Sequence, residues 1–246
     1  MKTIISQAII MRVKEIGESD LLVTFLTPER GRLRGIAKGA RKSRKRFVNC
    51  LDIFSLVNLE YIARKGGLYF INSGKLMESY PGLRRDFSTL SRASYMVELT
   101  EILFPWELPD RNIFEILKKG LHLLSEGKRI DLVPLFFEVV AMSLGGYGIN
   151  LEKCCVCGRR YAGEGKAVFK PEKGGIACMR CQPVTAVNPG ISPDTVNIMG
   201  LMQSGSIRAF EETDVPDESI LEIRPVLKLH REYHLGQRPR TANYME

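Results

Sequence analysis

The sequence is short of histidine and tryptophan, with three of the first and one of the second in 246 residues. So few histidines leave little room for a Ser-His-Asp set, and His122 falls within a stretch of helical period. His230 and His234 are spaced to share a helix face, but the nearby acid is Glu232, two residues after His230. A metalloprotease helix needs that acid at the next position, so the pair reads as a helix flank. No G-x-x-x-x-G-K-[ST] and no G-x-G-x-x-G occurs, so neither nucleotide hydrolysis nor dinucleotide binding has its usual motif. No apolar run approaches the roughly 20 residues of a spanning helix. The first residues lack a small-residue cleavage site and read as a strand, not an export signal. Six cysteines without an export signal are expected to be thiols or metal ligands rather than disulfides, which points to the cytoplasm.

What the chain does have is a lopsided charge. The first fifty residues hold 12 Lys or Arg and 4 acids, a net of +8, and the remaining residues hold 24 of each. Self-repulsion concentrated in one segment costs stability unless a polyanion relieves it. Nucleic acid is the polyanion such a segment most commonly meets.

Residues 3–78 carry strand signals. Residues 4–14 are β-branched and apolar, and 21–27 follow a Gly-Glu-Ser-Asp turn. Residues 32–38 come after a turn at Pro28–Gly31, and 51–63 alternate, with Ile53, Ser55, Val57, Leu59 and Tyr61 on one face. Arg64-Lys65-Gly66-Gly67 reads as a hairpin turn into 68–76. Five strands so close together predict a small barrel of the OB-fold kind. The period changes to helical after Pro81-Gly82, predicting helices over 83–103, 113–124, 132–144, 192–204 and 217–235. The expected class is α+β: an N-terminal five-stranded barrel over 1–80, then a helical domain over 81–246 with a metal-binding insertion at about 150–190. Residues 150–190 show little periodicity, and the polar end from 237 is expected to fray.

That insertion carries Cys154-Cys155-Val156-Cys157 and Cys178-Met179-Arg180-Cys181. Two C-x2-C turns complete a tetrahedron around Zn²⁺, and Gly158, Gly174 and Gly175 permit the tight backbone needed. Cys154, Cys157, Cys178 and Cys181 are the expected ligands of one structural zinc with no open position. Cys155 is the spare thiol, and Cys50 stands alone as a small apolar residue.

The densest cationic run is Lys38, Arg41, Lys42, Arg44, Lys45 and Arg46, in a loop between two predicted strands. Arg12, Arg30, Arg32 and Arg34 flank it on strands or turns. All ten are expected to contact phosphate, with a binding constant that falls steeply with salt. Phe47 beside the run would either stack on a base or fill the core. No element for reading base edges is apparent, so sequence preference should be weak. A DNA-binding protein and an RNA-binding or ribosome-associated zinc protein both fit these facts. A zinc hydrolase would need an open coordination position.

The order of these parts resembles the RecO family of bacterial recombination mediators. Arg30-Gly31 with Lys38-Gly39-Ala40-Arg41, then Leu83-Arg84-Arg85-Asp86 with Tyr95, Glu98 and Leu99, are similar to its N-terminal and first helical segments. The cysteine turns with Phe169, and Tyr233-His234-Leu235-Gly236, are similar to its zinc segment and last helix. The extra Cys155 is the departure. The resemblance implies a non-enzymatic, cytoplasmic and nucleoid-associated protein of DNA repair. It would bind single- and double-stranded DNA and anneal complementary strands without ATP. With RecR, and with RecF as a further partner, it would load a recombinase onto strands coated by single-stranded-DNA-binding protein.

Overall fold

The computed structural model describes residues 3–63, 67–185, 190–206, 211–236 and 238–244. It divides into two compact units, Met1–Ile130 and Asp131–Glu246. The change from strands to helices near residue 80 is therefore not the edge of a compact unit, because two helices belong to the first.

The first unit begins with strands β1 (Thr3–Ile16), β2 (Asp20–Thr27), β3 (Gly31–Ala37), β4 (Leu56–Ala63) and β5 (Tyr69–Glu78). They close into a barrel in the order β1-β2-β3-β5-β4, with β4 returning to β1. All pairs are antiparallel except β3 with β5. The pleat sends alternate residues inward. Ala8, Ile10, Val23, Phe25, Leu33, Val57, Leu59, Tyr61 and Ile71 fill the interior. Phe25, Tyr61 and Tyr69 pack edge to face within it, with ring centroids 5.4 and 5.5 Å apart.

The fourth strand starts later than the alternation predicts. Phe54 takes a positive φ of 72°, so Ile53 and Ser55 do not continue the β4 face. The Phe54 amide instead donates to the Ile10 carbonyl at 2.7 Å, and the Ile10 amide donates to the Ser55 carbonyl at 3.0 Å. Residues 38–55 are thus one long loop. The expected turn at Arg64, Lys65 and Gly66 lies outside the described residues.

Two helices complete this unit. α1 (Phe87–Leu103) is capped by Asp86, whose carboxylate accepts from the Thr89 amide at 2.7 Å. α2 (Arg111–Ser125) is capped by Asp110, which accepts from the Asn112 and Ile113 amides. Pro105 and Pro109 fall in the segment between them, which cannot continue either helix.

The second unit holds α3 (Val133–Met142), α4 (Pro193–Gln203) and α5 (Asp217–His234). Between α3 and α4 lies a small sheet that periodicity did not predict. Its strands are β6 (Asn150–Cys154), β7 (Ala167–Lys170), β8 (Gly175–Cys178) and β9 (Gly190–Ile191), in the order β6-β8-β7-β9. None is longer than five residues, too short for a period-2 signal. Within the stretch expected to fray, Arg240–Tyr244 forms a 3₁₀ turn that buries Ala242.

Candidate nucleic-acid interface and metal centre

The loop after β3 is pinned at both ends, and its middle faces solvent. The Asp20 carboxylate accepts from the Gly39 amide at 2.8 Å, and the Arg41 amide donates to the Ser19 carbonyl at 3.0 Å. A 3₁₀ turn follows at Ala40–Lys42. Phe47 and Cys50 then plug into the barrel core. Phe47 is therefore a core side chain and offers no face to a base. Burial pushes the Cys50 thiol up to about 11, as expected of a small apolar residue.

Between these anchors Lys42, Arg44 and Lys45 are exposed and have no ion-pair partner among the described residues. Lys38 is exposed, with Nζ 5.5 Å from the centre of the Phe70 ring. Arg46 folds back, donating from Nη2 to the Lys38 carbonyl at 2.6 Å, so it braces the loop as well as charging it. Arg41 pairs with Glu15 at 3.1 Å. Arg30 in the β2–β3 turn and Arg34 on β3 are exposed.

Besides the Arg41–Glu15 pair, two of the ten expected phosphate contacts are engaged by Glu101 of α1. Arg32 is 8% exposed; its Nη1 donates to the Glu101 carbonyl at 2.7 Å. Its guanidinium carbon lies 4.0 Å from the centre of the Trp106 ring. Burial lowers its pKa despite the nearby Glu101 charge. A guanidinium held this way is covered from solvent, and its place in the β3 sequence gave no sign that α1 would cover it. Arg12 is exposed but pairs with Glu101, its Nε donating to both carboxylate oxygens at 2.7 Å. That hydrogen bond raises the Arg12 pKa.

Trp106 went unremarked in the sequence, where a lone aromatic between two prolines belongs to no pattern. Its neighbours fix it against β3. The Glu107 amide donates to the Arg32 carbonyl at 3.0 Å, and Trp106 forms a parallel bridge with Arg32. Gly31 has a positive φ of 67°, and a Cβ there would lie 2.0 Å from the Leu108 carbonyl oxygen. Only glycine lets this segment come so close.

In the second unit the four sulfurs of Cys154, Cys157, Cys178 and Cys181 all lie within 4.8 Å of one another. β6 ends at Cys154 and β8 at Cys178, and their parallel pairing sets the two turns side by side. The Gly158 amide closes the first turn on the Cys154 carbonyl at 2.9 Å, and the Cys181 amide closes the second on Cys178 at 2.9 Å. The Cys178 amide points at the Cys154 sulfur at 3.3 Å. Burial pushes the Cys154 thiol up, but the amides of Cys157, Cys178 and Val156 and the Cys157 side chain outweigh it and hold it at about 6. Tetrahedral zinc–thiolate bonds place sulfurs about 3.8 Å apart. The 4.0 Å between Cys157 and Cys178 fits that geometry. Cys155 is outside the cluster; its amide donates to the Ile176 carbonyl of β8 at 2.8 Å. His230 is no ligand here: Nε2 meets the Tyr147 carbonyl at 2.6 Å.

A family model described as the recombination protein O N terminal matches residues 1–80. A second, the recombination protein O C terminal, matches residues 84–242. Among similar proteins is a DNA repair protein RecO of Desulfatibacillum aliphaticivorans, 30% identical over 100% of this chain and 97% of its own length. That of Syntrophobacter fumaroxidans is 39% identical over 72% of this chain and 71% of its own. That of Anaeromyxobacter sp. strain K is 30% identical over 97% of this chain and 94% of its own.

Proposed function

The chain belongs to the RecO family, and from that premise we propose that it is a DNA-binding mediator of recombinational repair with no catalytic step of its own. It grips the sugar–phosphate backbone of single- and double-stranded DNA through the loop after β3. The observation that carries this is the set Lys42, Arg44 and Lys45: exposed, without carboxylate partners among the described residues, on a loop anchored by buried Phe47 and Cys50. Cations on a pinned loop lose little freedom when a phosphate arrives, so more of each contact appears as affinity. Arg30, Arg34, Lys38, Arg41 and Arg46 extend the same charge; Arg12 and Arg32 do not.

Annealing follows from the same charge. Two strands repel through their phosphates, and cations between them lower that repulsion so that pairing proceeds without ATP. RecR, RecF and single-stranded-DNA-binding protein are the partners with which recombinase loading would occur, in the cytoplasm on the nucleoid. No helix among the described residues is long and apolar enough to cross a membrane.

The four cysteines would hold one Zn²⁺. The metal, when bound, supplies structure: four thiolates fill its tetrahedron and hold the β6 and β8 turns together. Titrating annealing rate of complementary oligonucleotides against protein, with no nucleotide present, tests the proposal. A rate that rises with protein is expected; a rate unchanged at concentrations that bind DNA would overturn the annealing role.

A further inference from the structure

The outer face of β3 carries cations and aromatic rings in alternation. Leu33 and Ala37 point into the barrel core, so Arg32, Arg34, Ile36 and Lys38 point outward. Trp106 lies against the start of this row, its ring centre 4.0 Å from the Arg32 guanidinium and 4.7 Å from that of Arg34. Phe70 of β5 sits beside Ile36, with Lys38 5.5 Å from its ring. Arg34 and Lys38 are ~13 Å apart along the strand. The row therefore runs Trp106, Arg34, Phe70, Lys38, and it leads into the loop that carries Lys42, Arg44 and Lys45.

Trp106 is the only tryptophan of the chain, and 43% of it stays exposed. Covering Arg32 does not require that exposure. The indole is also held firmly. The Tyr69 hydroxyl donates to the Glu107 carboxylate at 3.1 Å, and Glu107 itself takes a positive φ of 60°. That conformation costs a non-glycine residue free energy and persists only where neighbours enforce it. A large aromatic surface, fixed in place and 43% exposed, with the solvent-facing Arg34 guanidinium over its ring, offers its open part to the flat face of a base.

We propose that Trp106, with Phe70 further along the same face, is a stacking platform for unpaired bases of single-stranded DNA, and that Arg34 and Lys38 hold the intervening phosphates. The proposal rests on the DNA-binding reading above and adds the bases to it, since the loop over 38–46 meets phosphate alone. Only unpaired bases could use such a platform, since in a duplex the base faces are already stacked.

The sole tryptophan is its own probe. The full chain is titrated with a thymidine oligonucleotide and with an abasic deoxyribose-phosphate oligomer of equal length, each dye-labelled. Anisotropy of the dye reports binding, and indole emission reports stacking. Both oligomers should bind, and only the thymidine oligomer should quench the emission. Trp106→Ala should weaken thymidine-oligomer binding about tenfold and leave the abasic oligomer unchanged, while Trp106→Phe retains most of the affinity. Thermal melts of both variants check that they fold; the quenching of the unaltered protein does not depend on them. Binding of both oligomers with equal or absent quenching would overturn the platform and leave the phosphate grip standing. Failure of both to bind would overturn the DNA-binding reading, and the platform with it.

Discussion

Arg12 on β1 and Glu101 on α1 form a chelated pair, with the arginine Nε donating to both carboxylate oxygens at 2.7 Å. A cation already holding a carboxylate releases few counterions when DNA binds. Arg12→Gln should therefore leave the slope of log affinity against log salt unchanged, although Arg12 counts toward the surplus charge of the N-terminal fifty residues. Filter or anisotropy titrations over a range of potassium chloride measure it. A slope reduced by roughly 0.7 would mean that Arg12 leaves Glu101 for a phosphate.

Gly31 should tolerate no side chain. A Cβ would meet the Leu108 carbonyl at 2.0 Å, on a backbone whose φ of 67° already disfavours one. Gly31→Ala is expected to cost about 2 kcal/mol or more in urea unfolding of the whole chain. It should also shift Trp106 emission to the red as the segment lifts from β3.

The buried pair of Glu138 on α3 and Arg231 on α5, 2.7 Å apart with side chains 4% and 7% exposed, makes a second stability test. Arg231→Met takes that guanidinium away from a buried carboxylate and should cost about 3–5 kcal/mol, whereas combining it with Glu138→Leu should recover most of the loss. Chemical denaturation of the two variants compares them directly.

Burial lowers the His230 pKa from 6.5, against the pull of the Tyr147 carbonyl, with His234 lowering it further. The folded state thus binds the proton less readily than the unfolded chain does. The stability His230 contributes is full above pH 6.5 and lost as pH falls from there through the folded value. Melting temperatures from pH 8 to pH 5 should decline less in His230→Gln than in the unaltered protein. Parallel curves would remove His230 as the cause.

For the metal centre, Cys178→Ser and Cys181→Ser should each lower bound zinc well below one equivalent and destabilise the second unit. Cys155→Ser should keep full zinc. Elemental analysis of purified protein, with cobalt spectra showing four thiolate ligands, checks both. Full zinc in Cys178→Ser would mean that Cys155 had entered the ligand set.

Much of this was legible in the residues. The barrel could be read from apolar, β-branched runs set between turn residues, with a period of two clear only in the fourth; much of β1, β2 and β3 is buried on both faces. That reading failed at Ile53 and Ser55, where a positive φ at Phe54 breaks the pleat. The cysteine set was legible because tight turns leave ligand spacing in the sequence itself. Its small sheet was not, because strands of two to five residues carry no period. The cations were countable, but their partners were not: Glu101 lies 89 residues from Arg12, and only the packed helix brings them together. Trp106 was missed for the same reason, since its partners Arg32 and Arg34 sit on a strand far earlier in the chain.

The most direct test of the DNA grip is the salt dependence of single-strand binding by Lys42→Gln/Arg44→Gln/Lys45→Gln. Neutralising three cations that have no partner among the described residues should flatten the slope by about 2 and weaken binding at low salt. A slope equal to that of the unaltered protein, with the fold intact by circular dichroism, would contradict the account.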